Sequence, residues 1–356
     1  MEYLSPSEYH LMRADQIVPE LRFAGGDVTK WQSQLRPRLA ALTGWDQWNE
    51  RSQAPLTVET LWKRTVPHGT ICKVRFLAEP GSYVVGYLCL PDGAEEGPPR
   101  PAAICMQGHN SGAYLSVSLD REEETRTIPT KNDQDFGLQC LRNGYVGFCL
   151  EMRSFGHRRE QRQEKTHKSH CLDAALHALL LGWTLMAERV FDVERTLGYL
   201  QTLPFVDPER IGVLGESGGG TVSLYAAALL PELAFAVVAC GFCSFREGIM
   251  QIPHCSDNYI PGLYRVAEMA DIAGLIAPRA LVLVAGTPDD FYPLPAVTTA
   301  AADVSRIYSA IGAENRCIFT VGEDGHRFYA DLAWSSLRTL FPSRTEVAEM
   351  LKAQET

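Results

Sequence analysis

The hydrophobic pattern divides the chain into two unlike parts. From residue 69 onward, short apolar runs without polar alternation recur at 102–107, 145–151, 211–214, 235–240, 280–285 and 316–321. A run that is apolar on both faces predicts a strand buried on both sides, and so a parallel sheet covered by helices. Ahead of these runs, 71–78 and 82–90 flank Glu79-Pro80-Gly81, which predicts a hairpin. Helical spacing fills the intervals. It covers 133–143, stopped by Gly144, then a long region over 172–202 with a break near Gly182, then 264–276, 296–311, 329–340 and 346–353.

Residues 1–68 read differently. They are helical and irregular, with helices expected over 28–42 and 57–63. Trp31, Trp45, Trp48 and Trp62 crowd this stretch and read as packing it onto the main domain. The expected architecture is α/β. A mostly parallel sheet of eight strands is flanked by helices over 69–356, with an N-terminal helical extension over 1–68. Residues 153–171 and 243–264 read as lid or substrate-selecting insertions.

Composition narrows the class. The 356 residues are 46% hydrophobic and 21% charged, ordinary for a globular protein with a sizeable core. The net charge of −10 argues against nucleic acid or an anionic membrane as partner, since both want a basic face. The first twenty residues carry scattered charges and no apolar h-region, so no signal peptide is expected. The most apolar window, 174–187, is too short for a membrane span and carries His177 and Gly182. Most of the ten cysteines lie in strand-like runs, where a free thiol behaves as a small hydrophobe. A reducing cytoplasm is the expected setting. Cys240 and Cys243 have C-x-x-C spacing but no helix start follows them, so no redox role is assigned.

One stretch carries chemistry. The run over 210–214 ends in Gly215-Glu216-Ser217-Gly218-Gly219, and helical spacing follows. Strand, sharp turn and helix are the context of a Gly-x-Ser-x-Gly nucleophile elbow. A serine hydroxyl is a weak nucleophile at neutral pH and needs a base, which in turn needs an orienting acid. After the run at 280–285 come Asp289 and Asp290, in a turn bounded by Gly286 and Pro293. Asp289 is the chosen acid and Asp290 the solvated neighbour. After the run at 316–321 comes His326, in a loop holding Gly322 and Gly325. The order Ser217, Asp289, His326 is that of the α/β-hydrolases. The oxyanion donors are expected from the backbone N–H of Gly218 and from the loop Gln107-Gly108-His109-Asn110, with His109 preferred and Asn110 in reserve.

The motifs GESGG at Ser217, QGHNSG at 107–112, EMRSFGHR at 151–158, GTPDDFYP at 286–293 and EDGHRF at 323–328 together resemble a known group. It is the group of α/β-hydrolases that includes acetyl xylan esterases, cephalosporin-C deacetylases and dienelactone hydrolases. The resemblance spans about residues 70–340. It implies a metal-independent, cofactor-free serine hydrolase of carboxylic esters, often acetylated sugars or related small molecules. It also matches Asp289, four residues before Pro293, to the acid, and His109 to the oxyanion donor. There are departures. Gln107 stands where the group has histidine, Arg153-Ser154-Phe155 replaces an Arg-Gly-Gln motif, and Arg327 follows the histidine where glutamate is usual. Acetyl xylan specificity is therefore not carried over.

Weaker signals complete the picture. His157, His167, His170, Cys171 and His177 lie close in sequence, but the charged, glutamine-rich stretch between them reads as a solvated loop and not a metal site. Its arginines and lysines would favour an anionic substrate. Glu151 and Arg153 read as loop braces. Tyr259 and Tyr292 are candidate pocket residues, with Tyr292 first, and Asn110 joins them as a substrate contact. The expected activity is two-step acyl transfer on a small ester, with room for a homo-oligomer. Alternatives with the same triad are hydrolysis of a carbon–carbon bond in a diketone-type substrate, and amide or peptide hydrolysis. A binding module without catalysis is the least favoured.

Overall fold

The apolar runs assemble into one nine-stranded sheet in the computed structural model, which describes residues 5–48, 55–109, 111–160 and 171–342. The strands are β1 (Glu59–Val66), β2 (Gly69–Glu79), β3 (Ser82–Pro91), β4 (Arg100–Met106), β5 (Val146–Leu150), β6 (Val206–Glu216), β7 (Phe235–Ala239), β8 (Ala280–Gly286) and β9 (Cys317–Gly322). Their order is β1-β2-β3-β5-β4-β6-β7-β8-β9. The pairs β5/β4, β4/β6, β6/β7, β7/β8 and β8/β9 are parallel, and β1, β2 and β3 form an antiparallel edge that joins β5. Every residue of β5, β7 and β8 is buried. That is why these runs show no polar alternation.

The ninth strand corrects an expectation. Residues 57–63, expected as helix, run into β1. From Trp62 to Val66 partly buried and exposed residues alternate, which is the period of an edge strand. Charged Lys63 and Arg64 hide that alternation by resembling a helix surface. The Trp62 ring meets Tyr87 at 5.8 Å and its indole N–H donates to Glu124 at 2.8 Å. A second difference lies at 207–210. This expected turn is the lead-in of β6, set off by a register shift opposite Arg100 and Ala102.

Helix α1 (Pro6–Ala14) opens the described residues, and further helices cover both faces of the sheet. On one lie α3 (Phe136–Arg142) and α9 (Ala330–Leu340). On the other lie α2 (Val28–Thr43), α5 (Leu185–Gln201), α6 (Gly218–Leu229), α7 (Met269–Gly274) and α8 (Leu294–Ala310). The expected helix over 264–276 shrinks to α7. A 3-10 turn over Leu263–Arg265 precedes it, and Pro278 lies beyond its end. The region over 172–202 breaks at Gly182 (φ 96°) into α4 (Leu172–Leu181) and α5, bent by 94°. Among the described residues no single helix is long and apolar enough to cross a membrane. The helix expected over 346–353 lies outside the described residues.

The N-terminal helix α2 is tied down by polar bonds as well as apolar packing. Gln32 donates to the carbonyls of Gly274 and Ala277 at 2.9 and 2.8 Å. Arg36 donates to the carbonyls of Ala228 and Leu275 at 2.9 and 2.8 Å. These acceptors lie at or just beyond the C-terminal ends of α6 and α7, where helices have carbonyls left over. Trp31 fits against the bare Cα of Gly274, where a Cβ would sit 2.9 Å from its ring.

Candidate active site

Strand β6 turns into α6 through Ser217, whose backbone takes φ 54° and ψ −120°. Side chains strain in this region, at a cost of about 1–3 kcal/mol. The surrounding glycines are sterically required. A Cβ on Gly215 would meet the Gly219 backbone at 2.4 Å, and one on Gly219 would meet the Met106 carbonyl oxygen at 2.1 Å. Two bonds fix the turn: Ser217 N–H to the Ala239 carbonyl at 2.8 Å, and Thr221 N–H to the Ser217 carbonyl at 2.9 Å. The N-terminus of α6 begins at Gly218, so unpaired N–H groups and the positive end of the helix dipole lie beside the serine.

Asp289 and His326 meet at the same sheet edge. Asp289 follows β8, His326 follows β9, and Asp289 Oδ2 lies 2.8 Å from His326 Nδ1. The other oxygen of Asp289 accepts from the N–H groups of Phe291 and Tyr292 at 2.9 and 3.2 Å. Asp289 is buried, and its neighbour Asp290 is exposed. With Nδ1 engaged, Nε2 is the imidazole nitrogen left for a serine hydroxyl. The Tyr292 ring stacks on the imidazole at 6.0 Å and 12°, and Phe291 packs at 5.1 Å. The Cys240 thiol lies close to both members of the pair, and burial pushes it up to about 12, so it stays neutral.

The loop after β4 is braced from below. Gln107 donates to Ser116 Oγ at 2.6 Å and to the Gln134 carbonyl at 2.7 Å. The Ser111 hydroxyl donates to the Gly108 carbonyl at 2.6 Å. Glu151, at the end of β5, is buried and accepts from the N–H groups of Ala113 and His157 at 3.1 and 3.2 Å. Burial pushes its carboxyl up to about 7 against those two bonds. Arg153 donates to Asp192 and Glu188 and Arg158 donates to Asp192, fixing the next loop to α5. The bracing roles read for Glu151 and Arg153 rest on these contacts.

A second His–Asp pair lies beside the elbow, and sequence reasoning did not find it. His109 Nε2 is 3.0 Å from both oxygens of Asp257. Asp257 comes from a 3-10 turn over Ser256–Asn258 and is also bonded by fully buried Arg189 of α5. Arg189 reaches the Cys171 sulfur at 3.2 Å. Burial alone would raise the Asp257 carboxyl, but His109 and Arg189 hold it well below the usual carboxylate range. Burial would lower the His109 imidazolium, and Asp257 outweighs it, so His109 sits above its ordinary value. The His109 ring lies over Gly218. A Cβ there would meet Cε1 and Nδ1 at 2.6 and 2.7 Å.

The remaining candidates are distributed as follows. Tyr292 is buried beneath the imidazole and not on an open wall; half-exposed Phe291 takes the open position. Tyr259 is partly exposed and donates its hydroxyl to the Ile249 carbonyl at 3.1 Å. Asn110 lies outside the described residues, as do His167, His170 and most of the segment over 153–171. His109, Cys171, Cys255 and Asp257 bring ligand atoms within 4.8 Å of one another, a spacing that suits a metal ion. Arg189 already bonds two of the four. A positive charge held there opposes a second cation.

With this geometry established, comparisons with known proteins can be read. The Abhydrolase family model matches residues 17–306. YtaP of Bacillus subtilis (strain 168), a protein bearing a hydrolase name, is 26% identical over 245 residues, 68% of this chain and 78% of its own length. A solved structure described as an acetyl xylan esterase from Bacteroides fragilis NCTC 9343 matches with a TM-score of 0.74 at 17% identity, covering 90% of this chain and 83% of that one. A glucuronoyl esterase from Solibacter usitatus matches with a TM-score of 0.58 at 16% identity, covering 87% of this chain and 94% of that one.

Proposed function

The chain belongs to the Abhydrolase family, and from that premise we propose that it is a serine carboxylic-ester hydrolase working through Ser217, His326 and Asp289. One observation carries the reading. A strained serine at the end of β6 shares a sheet edge with a buried aspartate bonded at 2.8 Å to a histidine, leaving that histidine's other nitrogen available.

The mechanism follows from that geometry. His326 Nε2 takes the Ser217 proton as the oxygen attacks the ester carbonyl. The backbone N–H groups of Gly218 and His109 receive the developing oxyanion, for which the first turn of α6 is preorganised. His326 then protonates the leaving alcohol. Water attacks the acyl-enzyme with the same histidine as base, releasing the acid and restoring the serine. Asp289 holds the histidine tautomer with Nδ1–H toward itself and stabilises the imidazolium that forms. Its two backbone bonds from Phe291 and Tyr292 keep the carboxylate oriented.

Small-molecule esters are the proposed substrates. Acetylated saccharides come first for testing, because structural neighbours carry acetyl xylan esterase names. The segments over 153–171 and 243–264 are the proposed substrate-selecting parts of the catalytic domain over 69–356. A reducing cytoplasm is the proposed setting, in keeping with ten cysteines in free form. The test is turnover of p-nitrophenyl esters from acetate to octanoate beside acetylated sugars. Turnover that disappears in S217A and H326A supports the reading. Turnover retained in H326A contradicts it.

A further inference from the structure

Among the described residues, two histidines beside the nucleophile carry a ring nitrogen with no hydrogen-bond partner. The first is His109. Its Nε2 is committed to Asp257, so its Nδ1 edge, against Gly218, is the part facing the site. The side chain keeps 16% exposure although its partner carboxylate keeps 2%. The ring is therefore anchored at Nε2 and lies with Cε1 and Nδ1 against Gly218, and Nδ1 becomes a donor when the ring is protonated.

The second is His254. Its Nδ1 accepts the backbone N–H of Cys255 at 3.1 Å and lies 3.0 Å from the Asn258 amide nitrogen. A nitrogen that accepts a backbone N–H carries no proton of its own, so the proton is on Nε2. That Nε2–H is buried and has no partner among the described residues. An unpaired buried donor costs about 1–3 kcal/mol, and such groups are uncommon without a role. Burial first, then His109, lowers the His254 imidazolium to about 4, so the ring is a neutral donor at working pH. His254 stands between the two His–Asp pairs. Its ring is 6.4 Å from His109, 5.6 Å from Tyr292 and 6.4 Å from Phe291, and the last two pack on His326.

Charge gives the ligand class. Arg189 and His109 share the single carboxylate of Asp257, which favours the protonated form of His109 within a step of the nucleophile. A neutral donor on His254 beside a second donor on protonated His109 matches a carboxylate better than a neutral oxygen.

We propose that His109 and His254 form a donor pair that binds a carboxylate of the substrate, so that the preferred esters carry a free acid group near the scissile bond. This rests on the serine-hydrolase reading above. The carboxylate belongs to either the acyl part or the alcohol part of the ester, and the two sources are separable by experiment.

The test compares kcat/KM for matched pairs at pH 6. The acyl arm sets mono-p-nitrophenyl succinate and glutarate against their terminal carboxamides. The alcohol arm sets 3-carboxyphenyl acetate against 3-carbamoylphenyl acetate. The expected result is a preference of about tenfold or more for the acid in one arm, the size of one charge-assisted hydrogen bond. H254F and H109F each bring that ratio down toward one, and H109F keeps the backbone N–H at 109. In the unaltered protein the preference falls as pH rises. The His109 imidazolium is raised, so it is fully present below its ordinary value near 6.5 and is lost as pH passes through the raised one. Asp257, Arg189, Cys171, Cys255 and His254 are the groups that face it. A ratio at or below one in both arms, or a ratio that survives H254F, overturns the donor pair. If a fluorophosphonate still labels Ser217 in that case, the nucleophile stands and only the donor pair falls. Absence of both labelling and ester turnover removes both.

Discussion

Two His–Asp pairs flank one serine, and they are built from opposite materials. Asp289–His326 rests on loops that follow adjacent parallel strands, and among the described residues its carboxylate is supported by two backbone N–H groups and bonds no Arg or Lys. Asp257–His109 rests on an irregular segment and a helix, and its carboxylate is shared with a fully buried arginine. A carboxylate without a competing cation spends its field on the imidazole it orients, which suits a base that must gain and lose a proton. A carboxylate bonded to arginine as well is a fixed structural charge, and the imidazole on it is raised above its ordinary value. The difference teaches that a histidine's partner decides its work. One pair is suited to moving a proton, the other to holding a donor in place.

Substitutions can break this contrast. The largest effect is expected from S217A, which lowers ester kcat/KM by at least ~10⁴-fold, checked with p-nitrophenyl acetate. D289N comes next. It keeps an oxygen for the backbone N–H groups but turns the imidazole to the wrong tautomer, so kcat falls by roughly 10³–10⁴-fold while the urea midpoint barely moves. D257N should reverse that balance. It leaves Arg189 buried without a counter-charge, so stability falls by about 3–5 kcal/mol, with a smaller loss of kcat in protein that remains folded. If D257N instead abolished turnover at full stability, the two pairs would not differ as described.

Smaller effects sharpen the same contrast on the braces. Glu151 takes its proton near pH 7 when folded and near 4.5 when unfolded, so the folded state binds more protons between these values. Stability therefore falls as pH rises through that window, by about 2–3 kcal/mol at most. Urea titrations at pH 4.5 and 7.5 should show this slope reduced in E151Q. Smallest of all, R36A should cost about 2 kcal/mol through lost carbonyl bonds at the ends of α6 and α7, with kcat unchanged.

The sheet and the first pair were legible in the sequence for one physical reason. Both depend on local order along the chain. Fully buried strands leave unbroken apolar runs, and loops at their carboxyl ends fall directly after them, so Ser217, Asp289 and His326 can be read by position. The strand β1 was not legible, because an exposed edge strand with Lys63 and Arg64 on it carries no such run. The second pair was hidden for a different reason. Asp257 lies in a segment without periodicity, Arg189 sits in an otherwise ordinary helix, and they meet His109 across 148 and 80 residues of sequence. His254 gave no signal either, since a missing hydrogen-bond partner exists only in three dimensions. An arginine among the apolar positions Leu185, Met186, Val190 and Phe191 of α5 was the one hint available.

The most direct measurement is peptide mapping by mass spectrometry after reaction with a fluorophosphonate. One adduct is expected, on Ser217, absent in S217A and formed far more slowly in H326A. An adduct on another serine, or none on the native protein, would contradict it.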